Sequence, residues 1–387
     1  MKVCISLGGR FHAFYLAKYL QEQGCLHHLC TSYPKFEVAK YGIDTKKVST
    51  VVSKELVQRG YRKLMKKELA DIYLCDWFDY WASKQLPMDA DIYVIWSGFA
   101  LKTIQQIRKR NPRAIIILER CSTHIQFQFD ILNHAYSLFH NVAAKLPSQP
   151  IIEKEKAEYQ AVDYISVPTN FVRKTFLDKF IPQDKIIVNP YGVLLNEFSY
   201  SANKELKPQQ EFKVIFVGYF CVRKGAKIFL EIVDYFKHHA DITFQLVGSI
   251  EIGLEEYIAP YLNKNLYYQS SVPQNKLNNF YAGADVFLFP SYEEGMAYVT
   301  LQAMACGLAL VVSHNSGAGM AIEHGKSGYL FDSEAKQSYI DTIQSLYEDR
   351  GLCRRIGKEA RQGVEKGFTW EDYSQRYLQK LQSLNSY

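Results

Sequence analysis

Residues 286–313 read VFLFPSYEEGMAYVTLQAMACGLALVVS, and the succession strand, loop, helix, strand within them decides the fold class. Val286 to Phe289 is a short apolar run of β-formers stopped by Pro290. Ser291 to Ala297 is polar and acidic and contains Gly295. Tyr298 to Cys306 has helical composition, and Gly307 stands where a helix C-terminus takes a left-handed residue. Leu308 to Val312 is the next buried strand. A βαβ unit implies a parallel sheet, and such sheets bind ligands where strand C-ends meet helix N-termini. Glu293 and Glu294 lie at that place. A carboxylate there accepts hydrogen bonds from ligand hydroxyls, and backbone N–H groups at the helix start can hold a phosphate.

The same alternation extends to both sides. The 387 residues exceed one ordinary core, so two domains are expected. In the first half, strands are predicted at Lys2 to Leu7, His28 to Ser32, Asp91 to Trp96, Ala114 to Leu118 and Tyr164 to Thr169, with helices between them. Residues 196–210 (NEFSYSANKELKPQQ) are the least apolar stretch and the best boundary,. The pattern then restarts with strands at Phe212 to Val217, Phe244 to Val247 and Leu266 to Gln269, and a later one at Tyr329 to Phe331. The reading is α/β: Rossmann-like domains over 1–195 and 196–368, followed by a docking helix over 369–387 with Tyr373, Tyr377 and Leu381 at helical spacing.

Composition excludes several classes. With 48% hydrophobic and 22% charged residues, the chain is not disordered. A net charge of +6 is too small to argue for nucleic acid. The excess gathers at Lys54 to Lys67, where Lys54, Arg59, Arg62, Lys63, Lys66 and Lys67 alternate with apolar residues. That pattern fits either a solvated helix face or a basic amphipathic helix on an anionic membrane surface. None of the eight cysteines forms a CxxC pair, which is reduced, intracellular usage,. Met1-Lys2 leads straight into a strand and no apolar run approaches a membrane span, so a cytoplasmic protein with at most peripheral membrane contact is expected.

Four post-strand loops carry candidate chemistry. Gly8-Gly9-Arg10-Phe11-His12 follows the first strand. It lets a ligand approach the backbone, but it is not GxGxxG, which disfavours a nicotinamide dehydrogenase. Trp96-Ser97-Gly98 ends a second strand. Glu119-Arg120-Cys121-Ser122-Thr123-His124 ends a third, with His124 titratable at a strand C-end and Ser122 and Thr123 suited to cap the helix starting near Ile125. Arg223-Lys224-Gly225 follows the first strand of the second half, and two cations there suit a pyrophosphate.

Together these residues resemble the retaining GT-B glycosyltransferases, the group that includes glycogen-synthase-like and phosphatidylinositol mannosyltransferases. The family pattern PS-x-x-EGFG-x-x-x-x-EAMACG-x-PVV is similar to PSYEEGMAYVTLQAMACGLALVV (Pro290 to Val312). Glu294 matches its first Glu, and Gln302 stands at the second. Lys224 matches the lysine of the RKG run. Asn189 to Val193 (NPYGV), with Phe198 after it, resembles the domain-closing segment. Gly317 with Glu323 is similar to a G-x-x-E region. Glu119 to His124 resembles the ERGSSH run of a capsular and O-antigen branch.

The resemblance implies two tandem Rossmann-like domains facing each other across a cleft, with the C-terminal helix packed back on the first. It implies transfer of a hexosyl unit from a nucleotide-diphosphate sugar, such as a UDP- or GDP-hexose, to a polysaccharide or lipid-linked saccharide acceptor. Configuration would be retained, with no cofactor and no required metal. Lys224 and Arg223 would neutralise the leaving diphosphate, aided by the amides of Gly295, Met296 and Ala297. Glu294 would hold sugar hydroxyls, Gln302 the ribose, and Gly9 would admit the donor phosphate. His124 would face the reacting sugar or the acceptor. Arg10, His12 and Trp96 fall on the acceptor side. Three departures stand out. Gln302 is uncharged, so one hydrogen bond worth about 1.5–3 kcal/mol becomes one of about 0.5–1.5 kcal/mol. Tyr219 follows Gly218 where many members have Arg. Met296-Ala297 replaces Phe-Gly. The alternatives are a catalytically silent GT-B binding subunit and another GT-B enzyme such as a UDP-sugar epimerase.

Overall fold

The computed structural model of the protein describes residues 1–10, 12–65, 71–199 and 211–385. Two all-parallel sheets organise it. The first has seven strands: β1 (Val3–Leu7), β2 (Leu26–Thr31), β3 (Val48–Thr50), β4 (Ile92–Trp96), β5 (Ile115–Glu119), β6 (Tyr164–Val167) and β7 (Ile186–Val188), in the order β3-β2-β1-β4-β5-β6-β7. The second has six: β8 (Phe212–Val217), β9 (Ile242–Val247), β10 (Leu266–Gln269), β11 (Val286–Phe289), β12 (Ala309–Ser313) and β13 (Tyr329–Phe331), in the order β10-β9-β8-β11-β12-β13. Helices cover both faces of each sheet, so central strands such as β4 and β11 are apolar along their length and wholly buried,.

Strand order reverses between β1 and β4 and again between β8 and β11. These switch points are where loops diverge and leave a crevice. Gly8-Gly9 follows β1, Ser97-Gly98 follows β4, Gly218-Tyr219 follows β8 and Pro290 to Glu294 follows β11. The opening stretch folds as its pattern predicts, with the helix Tyr298–Ala305 between β11 and β12 and Gly307 at φ +74° behind it.

The chain passes between the two sheets side by side near Gly192 and Thr369. Val193 N–H donates to the Phe368 carbonyl (2.9 Å). A Cβ on Gly192 would lie 2.2 Å from the Thr369 backbone, so only glycine permits the approach. The final helix, Trp370–Asn385, packs on the helix Ala13–Glu22 of the first unit. Trp370 stacks on Tyr15 at 4.4 Å, and Tyr373, Tyr377 and Leu381 are buried. Arg376 ties this helix to Asn189 Oδ1 and to the Pro190 and Gly367 carbonyls.

Some expectations change. The short edge strand β3 has too few residues to show a period. The helix expected to start near Ile125 is present and runs Ile125–Ser137. Of the boundary over 196–210, residues 200–210 lie outside the described residues. The basic run at 54–67 loses its first member, because Lys54 is buried with Nζ on the Gly8 carbonyl (3.0 Å) and Glu55 (3.0 Å). The side chains of Arg62 and Lys63, and all of Lys66 and Lys67, lie outside the described residues. Among the described residues no helix is long and apolar enough to cross a membrane, and no disulfide joins the cysteines.

Candidate active site

Between the two sheets lies a cleft with two adjoining recesses that share Lys54, Gln58 and Phe99. The larger, about 830 Å³, is lined by Gly9, Arg10 and His12 on one side and by Tyr298, Gln302 and Trp370 on the other. The smaller, about 470 Å³, is lined by Trp96, Glu119 and Ser122 against Arg223, Glu294 and Gly295. The sequence-derived residues thus fall into two groups. Gly9, Arg10, His12 and Gln302 meet in one recess, and Trp96, Arg223, Glu294 and Gly295 in the other.

Arg223 and Lys224 end a 3₁₀ turn, Val222–Lys224, between β8 and the helix Ala226–Tyr235. Both cations are met by carboxylates. Arg223 reaches Glu294 Oε1 (3.2 Å) and Glu293 Oε2 (3.2 Å), and Lys224 Nζ lies 3.5 Å from Glu294 Oε1 and above the Phe289 ring. Glu294, followed by Glu293, drives the Arg223 pKa above its ordinary value against the opposing effect of burial. Arg223 and Glu294 line the smaller recess, with Lys224 behind Glu294, so a diphosphate entering it can replace Glu294 beside the cations,.

Glu293 has a different task from Glu294. It is fully buried and crosses to the loop after β5. There it accepts from Ser122 Oγ, Thr123 N–H (3.1 Å), Thr123 Oγ1 (2.8 Å) and Gln128 Nε2 (3.3 Å). Burial alone would raise its pKa. Arg223 and the bonds from Ser122 and Thr123 outweigh burial and hold it below the usual carboxylate range,. Beside it, a Cβ on Gly295 would lie 1.9 Å from the Cys121 carbonyl, and Thr169 Oγ1 donates to the Gly295 carbonyl (3.0 Å). The two units therefore clasp each other at Glu293 and Gly295.

Several expected roles are corrected. His124 does not face the cleft. It is 4% exposed and packs against Tyr159 and Phe176. Its Nδ1 accepts from the Gln126 N–H (3.2 Å), so His124 caps the helix Ile125–Ser137. Burial, with Arg120 nearby, lowers its pKa to about 4. Ser122 and Thr123, expected as caps, serve Glu293 instead. The Ala297 N–H is not available to a phosphate, because it donates to the Ser316 carbonyl (3.1 Å). Met296 turns inward, where its sulfur accepts from the Tyr191 N–H (3.3 Å).

Two features were missed. His12 bridges the units, with Nε2 at Glu119 Oε2 (3.2 Å) and Nδ1 at the Tyr298 hydroxyl (3.2 Å). It sits among Trp96, Tyr191, Trp370 and Tyr373. Its place in the Gly-Gly loop was visible, but its partners lie 107 and 286 residues away. Tyr219, read only as a lost arginine, accepts from Lys145 of the first unit (3.0 Å).

Residues 199–363 match the family described as Glycosyl transferases group 1. Over those residues the chain is similar to the group 1 glycosyl transferases. Among curated relatives, the D-inositol 3-phosphate glycosyltransferase of Paenarthrobacter aurescens is 26% identical over 201 residues, 49% of each chain. The capsular polysaccharide biosynthesis glycosyltransferase CapM of Staphylococcus aureus is 23% identical over 242 residues, 57% of this chain and 62% of that one. The chain spans about half the length of the first curated relatives it matches. In fold the likeness covers the whole chain. Sucrose-phosphate synthase from Thermosynechococcus elongatus superposes with a TM-score of 0.71 at 17% identity, covering 100% of this chain and 99% of that one. The Anabaena protein HepE, in complex with UDP-glucose, gives 0.67 at 16%, covering 99% and 100%. The architecture is GT-B, and Arg223 after β8 and Glu294 after β11 line the cleft.

Proposed function

We propose that the protein transfers a hexosyl unit from a nucleotide-diphosphate sugar to a saccharide or lipid-linked saccharide acceptor, with retention of configuration and without a required metal. The observation that carries this reading is the pair Arg223 and Lys224 meeting Glu294, with Arg223 and Glu294 on the wall of the smaller recess. A diphosphate entering there takes over those cations and frees Glu294 for sugar hydroxyls. The bond from the anomeric carbon to the diphosphate oxygen breaks as the acceptor oxygen bonds the same face. The acceptor's proton passes to the leaving phosphate. Charge grows on that phosphate, and Lys224 and Arg223 stabilise it there. Gln302, on the wall of the larger recess, meets the ribose, and Gly9 lets the donor come close to the first unit. Arg10, His12 and Trp96 line the acceptor side. The relative acting on an inositol phosphate and the capsular one support a hydroxylated acceptor.

The test is a panel of UDP-, GDP- and dTDP-sugars scored for nucleotide release, with saccharide and lipid-linked acceptors. Release with one donor is expected, and no release and no binding with any of them overturns the reading.

A further inference from the structure

Gln302 has one end of its amide already engaged. The Tyr281 hydroxyl donates to Gln302 Oε1 at 3.1 Å. Tyr281 is fully buried, and among the described residues its other acceptor is the Val299 carbonyl at 3.5 Å. The bond to Gln302 is the shorter of the two, so the hydroxyl's proton is best placed on Oε1 and that end of the amide is turned to the protein,. Gln302 is 9% exposed and lines the larger recess. What it offers the recess is Nε2, an N–H donor for which the described residues provide no acceptor.

A glutamate at this position would present a charged acceptor. Such a group demands hydroxyl hydrogens from its ligand, and a ligand lacking one leaves a desolvated charge unpaired. An amide N–H demands only an oxygen. A furanose offers ring and 3′ oxygens whether or not it carries a 2′-hydroxyl. We propose that Gln302 meets the donor nucleotide as a hydrogen-bond donor, so that the recess takes 2′-deoxyribonucleoside diphosphate sugars about as well as the ribonucleotide forms. The inference rests on the placement of the nucleotide's sugar at Gln302 under the proposed function. It deepens that reading by naming the donor class: a deoxyribonucleotide-linked sugar is a competent substrate here.

The experiment is calorimetric titration of the full chain with UDP and 2′-deoxy-UDP, and with GDP and 2′-deoxy-GDP. For the base that binds, the ratio of deoxy to ribo Kd in the wild type is expected below about threefold. Gln302→Glu is expected to raise that ratio to about tenfold or more, because the charged acceptor returns. Tyr281→Phe provides a second route, since it frees Oε1 to accept from a 2′-hydroxyl and so also raises the ratio. A wild-type ratio of about tenfold or more, or a ratio unchanged in both variants, overturns the inference while leaving the proposed function in place. Absence of binding by any of the four nucleotides overturns both.

Discussion

Glu293→Ala tests whether the two units are held together by one buried carboxylate. In the wild type Glu293 accepts from three groups of the loop after β5 and from Gln128, and it pairs with Arg223. Removing one partner of a buried pair costs about 3–5 kcal/mol. Arg223 keeps Glu294, which places the loss at the lower end, about 3 kcal/mol. Ser122 and Gln128, both part-exposed, can turn to water, but Thr123 is wholly buried and its N–H loses its acceptor. A 3 kcal/mol weakening corresponds to on the order of 100-fold in the opening equilibrium. Hydrogen exchange at the Thr123 amide reads that equilibrium directly, with the β5 amide of Ile117 as an internal control. Glu293→Gln keeps a neutral acceptor, and a gain of about tenfold is expected for it. Thr123 exchange in Glu293→Ala within about threefold of wild type would refute the assignment of Glu293 as the clasp.

Other outcomes follow from the same geometry. Lys224→Ala should lower kcat on the order of 100–1,000-fold if the lysine stabilises the leaving diphosphate; steady-state rates near wild type would remove it from that role. Gly295→Ala places a methyl where the Cys121 carbonyl already lies, so a cost of about 1–3 kcal/mol and faster Thr123 exchange are expected, without change in the Ile117 control. His124 is kept neutral when folded, with its pKa lowered from 6.5 to about 4. Its contribution is therefore complete above pH 6.5 and is lost as pH falls towards 4, about 3 kcal/mol in all. His124→Asn retains a capping side chain and should flatten the stability profile between pH 4 and 6.5 in denaturant titrations.

The sheets were legible because their strands are central and buried on both faces: VFLF at 286–289 and FKVIFV at 212–217 cannot be solvated in any other arrangement. Gly307 marked a helix end for the steric reason that selects glycine there. Arg223, Lys224 and Glu294 were legible as candidates because local spacing puts them at strand C-ends, and the structure makes them neighbours. What stayed hidden depends on long-range pairing. The resemblance singled out Glu294, but the clasp role of Glu293 shows only with the arrival of Ser122 and Thr123, some 170 residues earlier in the chain. His124 was misplaced because a histidine beside a strand end looks the same whether its ring turns to the cleft or back onto the next turn of helix. Gln302 was recognised as a departure, but its commitment to Tyr281 needs the helix Gln274–Ala282 packed alongside.

The return of the helix Trp370–Asn385 to the first unit bears on how the chain is made. His12, Tyr15 and Tyr191 are all covered by its Trp370 and Tyr373. A ribosome delivers roughly 180 residues after Val193 before that helix emerges, a delay of roughly 10–40 s at ~5–20 residues per second. Through that interval the first-made half waits with an aromatic face bare, while the second half completes its own sheet. The earliest part of the chain to be synthesised is thus the last to be sealed, and a nascent chain paused within that window is the form most exposed to self-association.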